Sequence, residues 1–238
     1  MSTLLDIKNL SVSAAEDNVR IPILSDIDLA IEPGQTIGVV GESGSGKTVL
    51  VRSILGLTEY PLAVDSGEIA FQGVDLASLA EKNIEKIRGR DIALTTAEPR
   101  KHLNPLISIG AQLINVICAH RDIARKDAIA IAVDLLNSVG IPDPELRLTG
   151  YPHEMSGGMC QRIVIAMALA HETKILLVDE PTSSLDPKIG AEVMELMCAV
   201  ADEYHVPMLV SVHDLDVATG YSKRIVGLRE GRLSLIHI

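Results

Sequence analysis

The residues that could most clearly carry out chemistry lie in a glycine-rich segment near the start of the chain. Eight consecutive residues, GESGSGKT, fit the phosphate-binding pattern GxxxxGK[ST] in full. Glycines allow backbone N–H groups to curl around phosphate oxygens, and the helix that follows presents its N-terminus to the same charge. We expect Lys47 to reach the β- and γ-phosphates and the Thr48 hydroxyl to bind Mg²⁺. The expected nucleotide-binding residues are Gly41, Glu42, Ser43, Gly44, Ser45, Gly46, Lys47, Thr48 and Val49.

The neighbouring segments place this loop between a strand and a helix. Residues 37–40 form a short apolar run typical of a strand that is buried on both faces, and the pattern of residues 49–57 predicts a helix. The alternative is a glycine-rich turn that matches the pattern by chance. The strand before the loop and the helix after it argue against that alternative.

A second candidate is the acidic pair Asp179-Glu180, which ends the apolar run 175–178. A carboxylate at the carboxyl end of a buried strand, beside a phosphate loop, is placed to hold Mg²⁺, which favours Asp179 for that role. Glu180 is placed to polarise an attacking water. Taken alone, such a pair is more commonly a solvated strand end. Together with the phosphate loop, it predicts a nucleotide hydrolase or a kinase.

A third segment, which reads MSGGM at 155–159, lies between these two and discriminates among such proteins. It resembles the signature of the ATP-binding-cassette (ABC) family, LSGGQ or a close variant, which in that family binds the γ-phosphate of ATP held by a second subunit. Ser156 and the two glycines after it predict a helix start, where a second set of N–H groups could face phosphate. A plain helix-capping loop is the alternative, and it explains the helix start but not the position of the segment. The signature residues are Met155, Ser156, Gly157, Gly158 and Met159.

The resemblance covers nearly the whole chain and implies further roles. It makes Glu180 the catalytic base and assigns Mg²⁺ to Thr48 and Asp179. His213, at the end of a predicted strand, is similar to the family's switch histidine, which with Lys47 would stabilise charge on the γ-phosphate. A lone histidine is usually a surface or core residue, so this assignment depends on order and spacing. The segment similar to the family's D-loop, which crosses a dimer interface, is Ser183, Ser184, Leu185 and Asp186.

Within the family, the sequence is most similar to the ATPases of peptide and nickel importers, which share GESGSGKT, LNP at 103–105 and YPHE at 151–154. Two positions depart from the family pattern. Ala97 stands where members carry a glutamine that contacts Mg²⁺ and senses the membrane partner, although Glu98 beside it could offer a carboxylate. The aromatic residue that stacks on adenine falls at Ala14. We therefore expect base stacking to be weak or to be supplied differently.

The resemblance implies the fold class: an α/β P-loop NTPase of ABC type. It would have a mainly parallel core sheet flanked by helices, an N-terminal antiparallel β-subdomain and a helical subdomain inserted at about 84–165. A single domain is expected over residues 1–232. Residues 233–238 look like a translated sequence from library preparation and are expected to be a non-native tail, with a natural apolar tail as the alternative.

Composition excludes several other classes. The chain has 238 residues, of which 47% are hydrophobic, so it can bury a sizeable core and is not a disordered chain. Its net charge of −11 argues against nucleic acid as a partner, because neutralising phosphates needs clustered Lys and Arg. Three widely spaced cysteines indicate thiols of a reducing compartment. No signal or spanning segment is visible, so the expected location is the cytoplasm. The resemblance to importer ATPases implies a peripheral position on the inner face of the cell membrane.

The leading hypothesis is an ATP-hydrolysing subunit that powers membrane import of a peptide-like or related small solute. It implies ATP and Mg²⁺ as cofactors. Its partners would be transmembrane permease subunits, a second ATP-binding subunit in a homo- or heterodimer, and a solute-binding protein. Two alternatives stay open: a catalytically weak ATP-binding partner in a heteromeric transporter, and a soluble ABC ATPase outside transport.

Overall fold

The computed structural model describes residues 3–16, 19–96 and 98–236, apart from the side chains of residues 235 and 236. Ala97 therefore lies outside the described residues. The chain forms two compact units: the first draws on Met1–Glu85, Leu177–Asp179 and Ala201–Ile238, and the second on Lys86–Leu176 and Glu180–Val200. The single domain over 1–232 with an insertion at about 84–165 stays a prediction.

Strands and helices alternate over most of the described chain. The described strands are β1 (Leu5–Glu16), β2 (Val19–Ile31), β3 (Thr36–Val40), β4 (Leu62–Phe71), β5 (Val74–Asp75), β6 (Ile92–Thr95), β7 (Ile175–Asp179), β8 (Met208–Val212), β9 (Arg224–Arg229) and β10 (Arg232–Ile236). The described helices are α1 (Lys47–Ile54), α2 (Glu81–Ile84), α3 (Pro99–His102), α4 (Ile109–Ala119), α5 (Arg125–Ser138), α6 (Pro144–Thr149), α7 (Gly157–Ala168), α8 (Pro187–Glu203) and α9 (Leu215–Tyr221).

The first unit contains an antiparallel sheet with the strand order β2–β1–β4–β5. Along the start of β1 the side chains of Leu5 and Ile7 are buried, whereas Lys8 is exposed. This alternation arises because successive side chains of a strand point to opposite faces, so that one face can pack on the core. The predicted N-terminal antiparallel β-subdomain is confirmed.

The first unit also holds a largely parallel sheet, in which β10, β9, β3, β8 and β7 lie side by side in that order. Strand β3 runs parallel to both β8 and β9, and every residue of β8 is buried. The register pairs Val40 with Val212, so the carboxyl ends of β3 and β8 are level, whereas β9, whose Gly227 lies opposite Val40, continues to Arg229. Loops that leave β3 and β8 therefore start at the same edge of the sheet, which is where open α/β sheets bind ligands.

Strand β10 includes part of the expected tail. It pairs antiparallel with β9, from Arg232 opposite Arg229 to Ile236 opposite Ile225. Residues 233–236 thus complete the edge of the sheet here. That residues 233–238 are not native stays a prediction about their origin.

The second unit contains α3–α7, strand β6 and most of α8. Helix α5 buries the side chains of Ala128, Ala132 and Leu136, and it packs against α4 and α7. Helix α7 is anchored to the end of α5, because Arg162 Nη1 donates a hydrogen bond to the carbonyl of Val139 at 2.9 Å. No helix within the described residues combines the length and apolar character that a membrane crossing requires.

A buried histidine pair lies in this second unit. His171 is 7% exposed, its ring meets His120 edge-on with centroids 5.0 Å apart, and its Nε2 donates to the carbonyl of Val116 at 2.9 Å. Burial lowers the pKa of His171, and the hydrogen bond to Val116 opposes this shift. The positive charges of His120, Arg121 and Arg90 add to the lowering. His171 is therefore held in its neutral form.

This arrangement predicts acid sensitivity. Because the pKa of His171 is lower in the folded chain, the unfolded chain binds the extra proton first, so stability is lost as the pH falls below the unfolded value of about 6.5. Between pH 7.5 and 5.5 we expect His171→Gln to lose less free energy of unfolding than the wild type, by at most about 1.4 kcal/mol. Urea unfolding at both pH values measures this difference. The exposed His205 supplies the control variant His205→Gln; an equal effect of both substitutions would contradict the prediction.

Candidate nucleotide-binding site

The glycine-rich loop connects β3 to α1 in the first unit, as predicted. Helix α1 begins at Lys47, directly after Gly46, whose φ of 107° lies in the left-handed region, and no side chain caps this helix start. Backbone N–H groups of the first helical turn are thus not satisfied by a capping side chain and suit an anion. The helix ends at Ile54, short of the predicted residue 57, because Gly56 with φ 61° turns the chain.

Lys47 is folded onto this loop. Its side chain is 3% exposed, and Nζ donates hydrogen bonds to the carbonyls of Gly41 at 2.7 Å and Glu42 at 2.9 Å. His213, in the loop after β8, places Nδ1 at 3.2 Å from the same Nζ and 3.3 Å from the Gly41 carbonyl. The structure therefore brings Lys47 and His213 together, although they are distant in the sequence.

Thr48 and Asp179 meet at the level edge of the sheet. Asp179, 7% exposed at the end of β7, accepts a hydrogen bond on Oδ1 from Thr48 Oγ1 at 3.1 Å. The same oxygen accepts from Ser211 Oγ of β8 at 2.8 Å. A carboxylate and a hydroxyl are hard oxygen ligands, which Mg²⁺ prefers, usually with substrate phosphates and waters completing the shell. The residues present thus fit this ion.

Metal binding by protein side chains alone is not indicated elsewhere in the described ranges. In residues 3–16, 19–96 and 98–236 no group of three or more His, Cys, Asp or Glu side chains could hold a metal ion. A cation at Thr48 and Asp179 would need further ligands, which phosphate oxygens and waters can supply. This requirement is what a nucleotide-dependent site predicts.

Two further features of the loop point to a ligand. Ser45 Oγ is buried and has no hydrogen-bond partner within the described structure, which is uncommon for a native hydroxyl. A cavity of about 550 Å³ lies along the loop, lined by residues 40–45 and by residues 227–230 at the end of β9. That volume falls in the range of small-molecule sites.

Glu180 belongs to the second unit. Its φ of 50° lies in the left-handed region, where a residue with a side chain is uncommon, and its carbonyl accepts hydrogen bonds from the N–H and Oγ of Ser183, both at 3.2 Å. Such backbone outliers cluster at functional sites. The turn 180–183 therefore gives Glu180 a defined backbone position directly after Asp179.

The signature segment lies at the start of α7 in the second unit. Ser156 is exposed, and its Oγ accepts a hydrogen bond from the Met159 N–H at 3.2 Å, so it does cap the helix. Met155 is buried, and its carbonyl accepts from Arg100 Nη2 at 2.9 Å. The capping role is thus present, and a second role toward ATP stays a prediction.

The D-loop segment is close to the signature segment within this unit. A Cβ at Gly157 would lie 3.7 Å from Leu185 Cδ2, and one at Gly158 would lie 2.9 Å from Ile189 Cγ2. Asp186 Oδ1 accepts from the Lys188 N–H at 3.0 Å and so caps the first turn of α8. The short distance explains the glycine at 158, since a side chain there would collide with Ile189 of α8, whereas a Cβ at 157 would make an ordinary contact.

Ala14 lies in β1, paired with Ile21 of β2 and Leu62 of β4. As an alanine it brings no aromatic ring to the sheet, and weak or differently supplied base stacking stays a prediction. Glu98, the neighbour of Ala97, forms an ion pair with Lys101. Sequence reasoning missed Ser211; the available signal was one hydroxyl in the otherwise apolar run 208–212.

Three features together define a P-loop nucleotide hydrolase. They are the phosphate loop at the edge of the sheet, the buried lysine, and the hydrogen-bonded pair of a hydroxyl and a carboxylate. The model of the ABC transporter family, described as "ABC transporter", matches residues 24–183. The chain belongs to this family and is an ATPase. The predicted family and fold class are confirmed.

Relatives refine this placement. The chain is 38% identical to the oligopeptide transport ATP-binding protein OppD of Bacillus subtilis, over 98% of this chain and 65% of that protein. It is 36% identical to the dipeptide transport ATP-binding protein DppD of Escherichia coli, over 97% of this chain and 70% of that protein. The chain therefore spans about two thirds of these relatives.

A solved structure shares the fold over nearly its full length. The dimeric post-hydrolysis state of the ATP-binding cassette MJ0796 bound to ADP and Pi superposes with a TM-score of 0.86 at 25% identity, covering 98% of this chain and 99% of that chain. A second, the cassette CbiO1 of Clostridium perfringens, has a TM-score of 0.82 at 24% identity, covering 99% of this chain and 88% of that chain.

Proposed function

We propose that this chain is the ATP-hydrolysing subunit of an importer for a peptide-like or related small solute. The observation that carries the proposal is the joint arrangement of Lys47, Thr48 and Asp179 in a chain whose relatives include oligopeptide and dipeptide transport ATP-binding proteins. ATP and Mg²⁺ are its cofactors. The net charge of −11 disfavours nucleic acid as a partner.

The residues of the first unit bind and orient the nucleotide. The loop 41–46 offers backbone N–H groups to the phosphates, and the Lys47 ammonium neutralises part of their charge. Thr48 and Asp179 would hold Mg²⁺, which would neutralise charge on the phosphate oxygens. His213, beside Lys47, donates toward the γ-phosphate. Ser45 Oγ, buried and unsatisfied within the described structure, gains a phosphate oxygen as its partner.

Glu180 is the catalytic base in this proposal. A carboxylate next to the metal-binding Asp179 can accept a proton from the attacking water, and the turn 180–183 limits the positions that its side chain can take. Phosphoryl transfer depends mainly on positioning and charge stabilisation, so a rigid turn is suited to this role.

A second ATP-binding subunit completes the site. Ser156 is exposed at the N-terminus of α7, and Gly157 and Gly158 let a phosphate approach the backbone there. Met155 and Met159 flank this contact. The D-loop residues, which pack against the signature within one subunit, extend along the same dimer contact. The dimer is a homodimer or a pair with a related subunit.

The permease subunits would dock on the second unit. Leu146 and Tyr151 are 63% and 40% exposed and line a cavity of about 320 Å³ together with Arg147 and Met155. Exposed apolar groups of this kind favour a protein partner. The chain would then be peripheral on the inner face of the membrane, with a solute-binding protein delivering the solute on the other face.

The test is reconstitution. The purified chain is combined with candidate permease subunits in proteoliposomes, and ATP hydrolysis and uptake of labelled di- and oligopeptides are measured. We expect the permease to stimulate hydrolysis and uptake to require ATP, with Glu180→Gln as the inactive control. If the permease does not stimulate hydrolysis and no peptide is taken up, the proposal is contradicted and the soluble ATPase is favoured.

A second candidate is a catalytically weak partner in a heteromeric pair. Ala14 favours it, because β1 supplies no aromatic ring for the adenine base. Loss of turnover in the homodimer, together with recovery when a second ATP-binding subunit is added, would select this candidate.

A further inference from the structure

Ser211 is a buried hydroxyl in an apolar strand. It is fully inaccessible, and its neighbours in β8 are Met208, Leu209, Val210 and Val212. Placing a hydroxyl in such surroundings costs free energy unless it forms a hydrogen bond. A buried hydroxyl at this position therefore needs a hydrogen-bond partner, and the structure contains one.

That partner is the carboxylate of Asp179. Ser211 Oγ donates to Oδ1 at 2.8 Å, and Thr48 Oγ1 donates to the same oxygen at 3.1 Å. Both hydroxyl donors converge on one oxygen of the carboxylate, which leaves the other, Oδ2, for a cation or its water. A hydroxyl has one proton and two lone pairs, so Thr48 can keep this bond and still offer a lone pair to a metal.

The two donors differ in what a ligand would do to them. Thr48 lies in the first turn of α1 and is a proposed metal ligand, so its geometry adjusts when a cation binds. Ser211 lies in the middle of the sheet, where a buried strand fixes its position. The bond from Ser211 is therefore the one of the two that we expect to hold the carboxylate in the same way with and without metal.

We propose that Ser211 is a positioning residue for Mg²⁺: its hydroxyl fixes the orientation of the Asp179 carboxylate and so raises the affinity of the site for the cation. The inference rests on the proposed metal role of Thr48 and Asp179. Hydrogen-bond partners of metal-binding carboxylates are worth roughly 10- to 100-fold in metal affinity.

The experiment measures metal binding rather than turnover. A fluorescent ATP analogue is titrated onto the full chain in EDTA, and Mg²⁺ is then titrated at fixed nucleotide. For Ser211→Ala we expect an affinity in EDTA within about twofold of wild type, and a Mg²⁺ midpoint raised by roughly 10-fold or more. Ser53→Ala is the matched control, because Ser53 is also buried in the first unit but donates to the Val49 carbonyl at 2.7 Å.

A double-mutant cycle separates this inference from the proposed function. If Ser211 acts through Asp179, adding Ser211→Ala to Asp179→Asn moves the Mg²⁺ midpoint little further. If the Mg²⁺ midpoint is raised in Asp179→Asn but not in Ser211→Ala, the role of Ser211 is overturned while the metal assignment stands. No shift in Asp179→Asn overturns the metal assignment itself.

A general structural effect of the Ser211→Ala substitution is checked by comparing nucleotide affinities. Equal losses of nucleotide affinity in EDTA and in Mg²⁺ for Ser211→Ala would indicate a general structural role and overturn the proposal. If this variant does not fold, Ser211→Cys enters the same titration, since it fills the site but has a weak S–H donor. The same Mg²⁺ shift is expected, and its absence would count against the proposal.

Discussion

Replacing Lys47 by alanine is expected to weaken ATP binding by roughly 100-fold, because hydrogen bonds from a charged donor contribute about 1.5–3 kcal/mol each. The structure holds the ammonium against the loop carbonyls of Gly41 and Glu42, with 3% of the side chain exposed. No other cation of the loop 41–48 can replace it. Equilibrium dialysis with labelled ATP measures the loss.

A matched control keeps this result specific to the loop. Lys223 is an exposed lysine of the same unit, with Nζ at 3.5 Å from the Gly34 carbonyl, and Lys223→Ala should bind ATP like the wild type. Hydrolysis should also be lost in Lys47→Ala. Wild-type affinity in that variant would refute the assignment of residues 41–48 as the phosphate site.

Glu180→Gln is expected to keep ATP binding while hydrolysis falls by about 10²- to 10⁴-fold, the usual contribution of a general base. The amide has nearly the shape of the carboxylate but cannot accept the proton of the attacking water. Because the backbone of Glu180 is held by Ser183, the substitution leaves the turn in place. The variant should accumulate as an ATP-bound dimer, which size-exclusion chromatography with and without ATP detects.

The control for this prediction is another glutamate of the second unit. Glu195 is exposed on α8, and Glu195→Gln should hydrolyse ATP at the wild-type rate. Unchanged turnover of Glu180→Gln in the reconstituted transporter would remove Glu180 from the role of base.

Much of the site follows from local sequence. The pattern 41–48 is contiguous, and its glycines and lysine act within one loop, so their types and spacing are enough to predict it. Asp179 could be predicted because a buried apolar run ends there, and strand ends in such folds meet at one edge. The antiparallel N-terminal sheet and the mainly parallel core sheet are what the family resemblance implies, and the short apolar runs 37–40 and 175–178 agree with the buried strands of the core.

The rest depends on contacts between segments distant in sequence. The partner of Ser211 is set by the order of β8 and β7 in the sheet, which no local pattern contains. The approach of His213 to Lys47 depends on the register of β8 against β3. Helix α1 also ends at Ile54, before the predicted residue 57, because Gly56 adopts a left-handed conformation that an apolar stripe does not indicate.

The glycines of the loop differ in how much sequence variation they can tolerate. A Cβ at Gly41 would lie 2.3 Å from the Leu228 carbonyl, which belongs to a strand of the sheet and cannot move aside. Gly44 has φ 79° and nothing within 4 Å of its would-be Cβ, so asparagine or aspartate could replace it at the cost of the left-handed backbone alone. In a randomised library selected for a folded chain, position 41 would return glycine, whereas position 44 would return a small set of residues. An invariant glycine at position 41 would then reflect packing within the fold itself. An invariant glycine at position 44 would reflect selection for phosphate binding.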